Sequence, residues 1–174
     1  MAAKGSHSHV KLEGEIERCR AEGHWGQLRH LAQGLGNAGV AAEGAGRRLV
    51  SPVGAPDYGS MLLAEALLEE CLKEKFAKLK DSIPLTEKNE PKLSEAKQYL
   101  TNILSRGKLR PKYMTEAMLI LGKLHYVEGS YRDAISMYAK AGIDDLSTKD
   151  EPLYMLRLVT EAFVIKGKGP HIYI

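Results

Sequence analysis

Cysteine and histidine, the residue types that most often carry out chemistry, are few in this chain. The 174 residues include two cysteines and six histidines. A nucleophilic site would pair Cys71 with His125, but it also needs a third residue to orient the base and a cleft to hold substrate. The sequence contains no motif for either, so we expect no catalytic residues and no enzyme activity.

The histidines near the amino terminus raise the separate question of a metal site. His7, His9, His24 and His30 lie close in sequence to Cys19. However, no CxxC or HxxxH spacing places three of these ligands on one surface. We therefore expect no metal and no other cofactor.

The two cysteines fit a helical core better than a disulfide. Cys19 and Cys71 each fall on the apolar face of a predicted helix, where a reduced thiol packs among apolar side chains. Disulfides persist mainly in oxidising compartments. Since the sequence also shows neither a secretory signal pattern nor a long apolar run, we expect a cytosolic location.

Lys123 suggests a binding function. Cochaperone-type repeat modules grip the carboxylate end of a peptide with lysine, arginine and asparagine on their first helices. Lys123 occupies one such position, whereas Leu119 and Ile120 fill neighbouring positions with aliphatic side chains. This composition favours a dry contact with another protein and leaves a cochaperone-like peptide-binding module as the alternative.

These residues lie in a stretch, 115–146, that has the spacing of one complete tetratricopeptide repeat of about 34 residues. Gly122 has no side chain and lets the second helix approach the first closely. Gly129 is suited to the left-handed conformation that ends a helix, and Ser130 is placed to cap the next. The repeat signature consists of Met118, Leu121, Gly122, Tyr126, Gly129, Tyr131, Ala134, Tyr138 and Ala141.

The rest of the chain predicts an all-α fold, an α-solenoid of tetratricopeptide-type helical hairpins. We expect Ser60 to cap a helix that continues to about Lys80, and a loop over 81–91 because of its two prolines and its charges. The predicted regions are a disordered N-terminus (1–9), a degenerate helical hairpin (10–36), a flexible Gly/Ala/Pro-rich loop (37–59), a helical array (60–166) and a non-helical tail (167–174).

A second copy of the first-helix pattern follows the best repeat. Leu153, Leu156 and Val159 correspond to Thr115, Met118 and Leu121 at a constant offset, which predicts a first helix of the same kind. Glycine and proline after this pattern disfavour a second helix. We therefore expect the last predicted helix to expose an apolar flank.

The charge pattern and the candidate modification site are weak indicators of function. A net charge of +3 is too small to indicate binding to nucleic acid. The basic strip of Arg106, Lys108, Arg110 and Lys112 is placed on a turn, where solvation is favoured over contact with acidic lipid or an acidic partner. Ser51, which precedes a proline, is a candidate phosphorylation site.

Four segments carry a more specific resemblance. Residues 62–69, 87–92, 116–139 and 161–167 resemble the amino-terminal region of the tetratricopeptide repeat protein 7 family, and the resemblance extends over about residues 1–167. That family is known as a long helical scaffold that joins the type III alpha phosphatidylinositol 4-kinase to hyccin and to a palmitoylated membrane anchor. The resemblance implies that this chain belongs to that assembly, and that it reaches the plasma membrane peripherally, through its partners.

The resemblance also sets limits on the expected partners. Members of the family are several times longer, and residues 167–174 depart from their sequence as an alternatively spliced ending would. The family assigns hyccin binding to its carboxy-terminal half, so hyccin is not an expected partner here. A truncated isoform without function is the remaining alternative.

Overall fold

Helices account for most of the structure, which is a computed structural model. It describes residues 4–44 and 56–168, with side chains described for 10–35 and 57–167. No strand occurs among these residues, as the sequence predicts. The helices are α1 (Lys4–Glu22), α2 (Trp25–Gly44), α3 (Pro56–Glu74), α4 (Phe76–Lys80), α5 (Pro91–Arg106), α6 (Pro111–Val127), α7 (Tyr131–Ala141) and α8 (Leu153–Lys168), with a 3₁₀ turn over Ile143–Asp145.

Proline and glycine set the boundaries of the central helices. Pro91 and Pro111 open α5 and α6, where a missing backbone N–H has no consequence for the first turn. Gly107 and Gly142 end α5 and α7 in the left-handed conformation, with φ of 61° and 67°. The predicted loop before α5 is present, and a 3₁₀ turn follows α7.

The α6–α7 hairpin is closed by contact between Gly122 and the ring of Tyr138. A Cβ at Gly122 would lie 2.9 Å from both Cδ1 and Cζ of that ring, so only glycine permits this approach. Gly129 turns the chain with a φ of 81°. The Ser130 amide donates to the His125 carbonyl at 2.8 Å. Ser130 is the N-cap residue of α7, as predicted, but its side chain makes no capping hydrogen bond, so backbone bonds hold the turn.

The amino-terminal half is more helical than its composition predicts. Helix α1 begins at Lys4, within the segment predicted to be disordered, and α2 continues to Gly44, within the predicted loop. Residues 37–44 include three alanines, and alanine has the highest helix propensity of any residue. Continuation of an established helix needs no new nucleus, so the low content of large apolar residues does not end it.

Two other helix boundaries differ from the prediction. Helix α3 begins at Pro56, so Ser60 lies inside the helix and does not cap it. It ends at Glu74, and a break at Lys75 separates it from the short α4. At the other end, α8 includes Gly167 and Lys168, which the sequence assigned to a non-helical tail. A glycine near the end of a helix costs only about 1 kcal/mol relative to alanine, and the packing of α8 offsets that.

One apolar core runs from α1 to α8. Helix α2 packs mainly on α3, α3 pairs with α5, and α6 pairs with α7, while α8 packs on α6. Helices α3, α6 and α8 are thus successive first helices of the array. Helix α1 packs on α2 and also reaches α8. This arrangement creates an inner face, formed by α3, α6 and α8, with α1 lying against it.

Candidate functional site

Equivalent positions of α6 and α8 lie side by side on the inner face. Lys123 Nζ donates to Glu161 Oε2 at 3.0 Å, and Tyr154 Oη donates to Glu116 Oε1 at 3.1 Å. Both pairs are separated by 38 residues in sequence. That separation is the offset between the two first-helix patterns, so the structure confirms the register predicted from the sequence.

Arg20 of α1 is the centre of the charges on this face. Its side chain is fully buried. Nε donates to Glu65 at 2.6 Å and Nη1 donates to Glu116 at 2.8 Å, while the guanidinium lies 3.8 Å from the centre of the Tyr154 ring. One arginine therefore joins α1 to α3, α6 and α8 through two charge-assisted bonds and a cation–π contact.

A second arginine, Arg157 of α8, extends the cluster. It contacts Glu65 at 2.5 Å and Glu69 at 3.1 Å, and its guanidinium lies 5.0 Å from the centre of the Trp25 ring. Lys123 completes the set with an ion pair to Glu69 at 2.6 Å. We call the set of interacting side chains the inner-face network: Arg20, Glu65, Glu69, Glu116, Lys123, Tyr154, Arg157 and Glu161.

Burial and the attraction between opposite charges have opposing effects on the pKa values of charged groups in the inner-face network. Burial disfavours the charge on Arg20, but the carboxylates of Glu65 and Glu116 outweigh it and raise the pKa of the guanidinium. Burial raises the pKa of the Glu116 carboxyl, although Arg20 opposes that shift. Burial also raises the pKa of the Tyr154 hydroxyl, and Glu116 adds to the effect. Arg20 is therefore held as a cation that donates to its carboxylate partners.

Lys123 is not available to grip the carboxylate of a peptide. Only 8% of the residue is exposed, and its ammonium group is engaged by Glu69 and Glu161. Leu119 and Ile120 beside it are buried as well. The structure therefore removes the cation on which the cochaperone-like alternative depends.

The remaining repeat-signature residues are structural. Leu121, Tyr126, Ala134, Tyr138 and Ala141 are buried in the core. Met118 and Tyr131 are partly buried and pack against it. The signature thus forms the interior of the α6–α7 hairpin and presents no ligand-binding groups.

The other candidates from the sequence are the cysteines, the histidines and Ser51. Cys19 and Cys71 are free and buried, as predicted, and burial raises the pKa of both thiols. Within the described residues, no group of histidine, cysteine and carboxylate side chains is arranged to hold a metal ion. The side chains of His7 and His9 lie outside the described residues, and so does Ser51.

The basic strip lies at the exposed turn between α5 and α6, and its cations include members of ion pairs. Arg106 contacts Asp57 at 2.8 Å, and Lys112 contacts Glu151 at 3.7 Å. Lys108 and Arg110 are exposed. This arrangement agrees with the solvated turn favoured by the sequence.

The outer side of α8 carries the predicted apolar flank. Leu153 is 66% exposed, and Phe163 and Val164 are each 45% exposed. We call these three residues the α8 flank. Exposed large apolar side chains grouped on one helix are typical of a contact surface for another protein or helix.

Sequence reasoning missed the inner-face network. The partners of Arg20 lie 45 and 96 residues away in sequence, and helical periodicity does not connect them. The one available signal was that Arg20 follows Cys19 and lies four positions after Ile16, which places it beside the apolar stripe of α1.

None of the described helices has both the length and the apolar composition needed to cross a bilayer.

The sequence matches a known family over most of its length. The family profile described as tetratricopeptide repeat protein 7 N-terminal matches residues 1–169. Human tetratricopeptide repeat protein 7A is 63% identical, with 96% of this chain and 20% of that protein covered. Human tetratricopeptide repeat protein 7B is 37% identical over 96% of this chain and 18% of its own length. The chain thus spans about one fifth of the length of the curated relatives it matches.

Proposed function

Because this chain belongs to the tetratricopeptide repeat protein 7 family, we propose that it is the amino-terminal part of a scaffold subunit that helps to assemble and localise a phosphatidylinositol 4-kinase complex at the plasma membrane. The family and the helical repeats support the broader role of a repeat-based protein-interaction scaffold. In such a role the chain supplies a surface of fixed shape, and catalytic turnover belongs to the kinase.

The α8 flank is the observation that carries the proposal. Stacked helical repeats bury their apolar faces against the next unit, and an uncovered face receives either another repeat or a partner. Leu153, Phe163 and Val164 form such a face on the last described helix. Behind it, the ion pairs that join α8 to α3 and α6 hold the helix in place, so a partner meets a preformed surface.

The proposed partners follow from the family resemblance. They are the type III alpha phosphatidylinositol 4-kinase and its palmitoylated membrane anchor, which would make membrane attachment indirect. Hyccin is not among them, because the family assigns its binding to the carboxy-terminal half, beyond the fifth of the relatives that this chain covers.

Co-purification from cell extract tests this function. We expect the tagged chain to recover the kinase or its membrane anchor. Phe163→Asp combined with Val164→Asp introduces two charges into the apolar surface and should reduce recovery at least about tenfold, since burying an unpaired charge is strongly unfavourable. Ser136→Asp combined with Ala139→Asp adds the same charges at exposed positions of α7 and should leave recovery unchanged.

Other outcomes would contradict the proposal. Recovery of neither protein would favour a truncated isoform without function. Binding of chaperone tail peptides that is lost in Lys123→Ala would favour the cochaperone-like module. A form extended by the region that follows in the longer relatives, assayed in parallel, shows whether the extract contains an assembly that can be captured.

A further inference from the structure

Helix α1 does not pair with α2 as closely as the other hairpin helices pair with each other. Helix α2 packs much more extensively on α3 than on α1, and α1 reaches α8 at the far side of the inner face. Among the α1 side chains that the structure describes, from residue 10 onward, Ile16, Cys19 and Arg20 are buried, while Glu17 and Arg18 are exposed. Helix α1 is therefore an amphipathic helix seated on the inner face, and Arg20 is its anchor.

Without α1, the inner face would have an excess of negative charge. Helices α3, α6 and α8 contribute four carboxylates to the inner-face network, and their own cations are only Lys123 and Arg157. Arg20 supplies the third cation from outside this set of helices. The face formed by the three helices thus matches a helix that places an arginine against Glu65 and Glu116.

The contacts that Arg20 makes in the inner-face network suit arginine and not lysine. One planar guanidinium donates to Glu65 and Glu116 from two nitrogens and covers the Tyr154 ring at the same time. A lysine ammonium has neither the fork geometry nor the flat face for these three contacts. A third guanidinium nitrogen, Nη2, is buried without a hydrogen-bond partner, so the pocket surrounds the whole group.

The connection between α1 and α2 is short and includes a residue with unusual conformational freedom. Gly23, with a φ of 74°, and His24 are the only residues between the two helices. The turn is closed by the His24 amide, which donates to the Cys19 carbonyl at 2.9 Å. Gly23 is a position at which the direction of the chain between α1 and α2 can change, because glycine reaches many backbone conformations at little cost.

The geometry points to a second binding surface: the inner face of α3, α6 and α8 is a receptor for an arginine-bearing amphipathic helix, which α1 occupies within this chain. A partner helix of the same chemistry binds there by displacing α1. This inference rests on the proposed scaffold function and adds a binding mode separate from the α8 flank.

A labelled peptide with the sequence of residues 8–22 is the probe. In the full chain, α1 competes with it, so we expect weak binding. Arg20→Ala in the chain weakens α1 as a competitor and leaves the acidic face intact, so the peptide should bind this variant at least about tenfold more tightly. A peptide with Arg20→Ala should not bind, whereas a peptide with Arg18→Ala, changed on the exposed side of the helix, should bind normally.

Hydrogen exchange provides an independent readout in the same proteins. In Arg20→Ala, the amides of α1 should exchange faster, while those of α6 and α7 keep their protection. The chain variant Arg18→Ala should match the unmodified protein in both assays. Unchanged protection of α1 in Arg20→Ala, or no peptide binding to it, would overturn the inference.

A second variant covers the case in which Arg20→Ala does not fold. Ile16→Ala removes apolar contacts of α1 and leaves every charge of the inner-face network in place. We expect it to bind the peptide more tightly than the unmodified chain, and a lack of binding would reject the receptor surface. These assays use purified components, so their failure is distinct from a failure to recover the kinase complex.

Discussion

Arg20 shows how a single buried charge can specify a fold. Removing a charged group from water costs several kcal/mol, and only well-placed partners offset that cost. Arg20 finds Glu65, Glu116 and Tyr154 on three different helices. A shift of any one helix along its axis would leave a buried charge unpaired. The contacts of Arg20 therefore define the relative positions of α1, α3, α6 and α8.

Burial lowers the reactivity of the Cys19 and Cys71 thiols. Burial raises the pKa of both thiols, so less reactive thiolate is present at any given pH, and the folded chain also limits access to the sulfur. We expect alkylation by iodoacetamide at pH 8 to be slow in the native protein and fast in denaturant, as measured by mass spectrometry. Fast labelling of either thiol under native conditions would show that its helix opens readily.

Among the helices, the α6–α7 hairpin is specified most completely by its own sequence. Gly122, Tyr138 and Ala134 make the close approach of the two helices, and Gly129 turns the chain between them. The loop before α5 adds support, because the Leu85 amide donates to the Val127 carbonyl at 2.8 Å. Small residues at the contact and a glycine turn are local features, so this element can be recognised from sequence alone.

Ala134→Trp tests the closure of this hairpin. Ala134 is fully buried, so the larger side chain must separate α6 from α7. We expect a loss of stability of about 1–3 kcal/mol or more from overpacking, measured by urea or thermal unfolding. Ala139→Trp, at an exposed position of the same helix, is the matched control and should change stability by less than about 0.5 kcal/mol. Equal melting of both variants would argue against the helix pairing.

Over the whole molecule, two surfaces of different chemistry emerge from one stack of helices. The inner face is charged and covered by α1, whereas the α8 flank is apolar and exposed. Lys123 of α6 forms ion pairs with Glu69 of α3 and Glu161 of α8, and Arg157 of α8 pairs with Glu65 of α3, so the two surfaces are connected through α8. Binding at the α8 flank therefore takes place on a helix that the inner-face network holds in position.

Glu116→Ala tests whether the inner-face network stabilises the whole chain. The change leaves Arg20 with one carboxylate partner and removes the acceptor of the Tyr154 hydroxyl. Breaking a buried pair by removing one partner typically costs about 3–5 kcal/mol, and we expect a loss in that range by urea unfolding. Glu17→Ala, at an exposed position of α1, should be nearly neutral. A small effect of Glu116→Ala would mean that the Arg20–Glu116 pair is dispensable for stability.

The sequence by itself determined the all-α class, the α6–α7 hairpin and the register between α6 and α8. These features depend on spacing within a few turns of helix, or on repetition of the same spacing. The apolar α8 flank could be predicted because glycine and proline follow the α8 pattern and disfavour a second helix that would cover it. The extension of α2 could not, because a composition poor in large apolar residues indicates a loop even where alanine favours helix continuation. Residues 4–9 of α1 contain neither alanine nor a large apolar residue, so no local pattern predicts a helix there.

Only the tertiary structure decided where the charges lie. A polar residue on a helix is ordinarily assigned to solvent, yet Arg20, Glu65 and Glu116 are buried together although they are up to 96 residues apart in sequence. Their burial is stable only when all the ion-pair partners come together in the folded chain, and no local sequence pattern indicates that they do. The same holds for Lys123, which the sequence offered as a free cation and the fold pairs with Glu69 and Glu161.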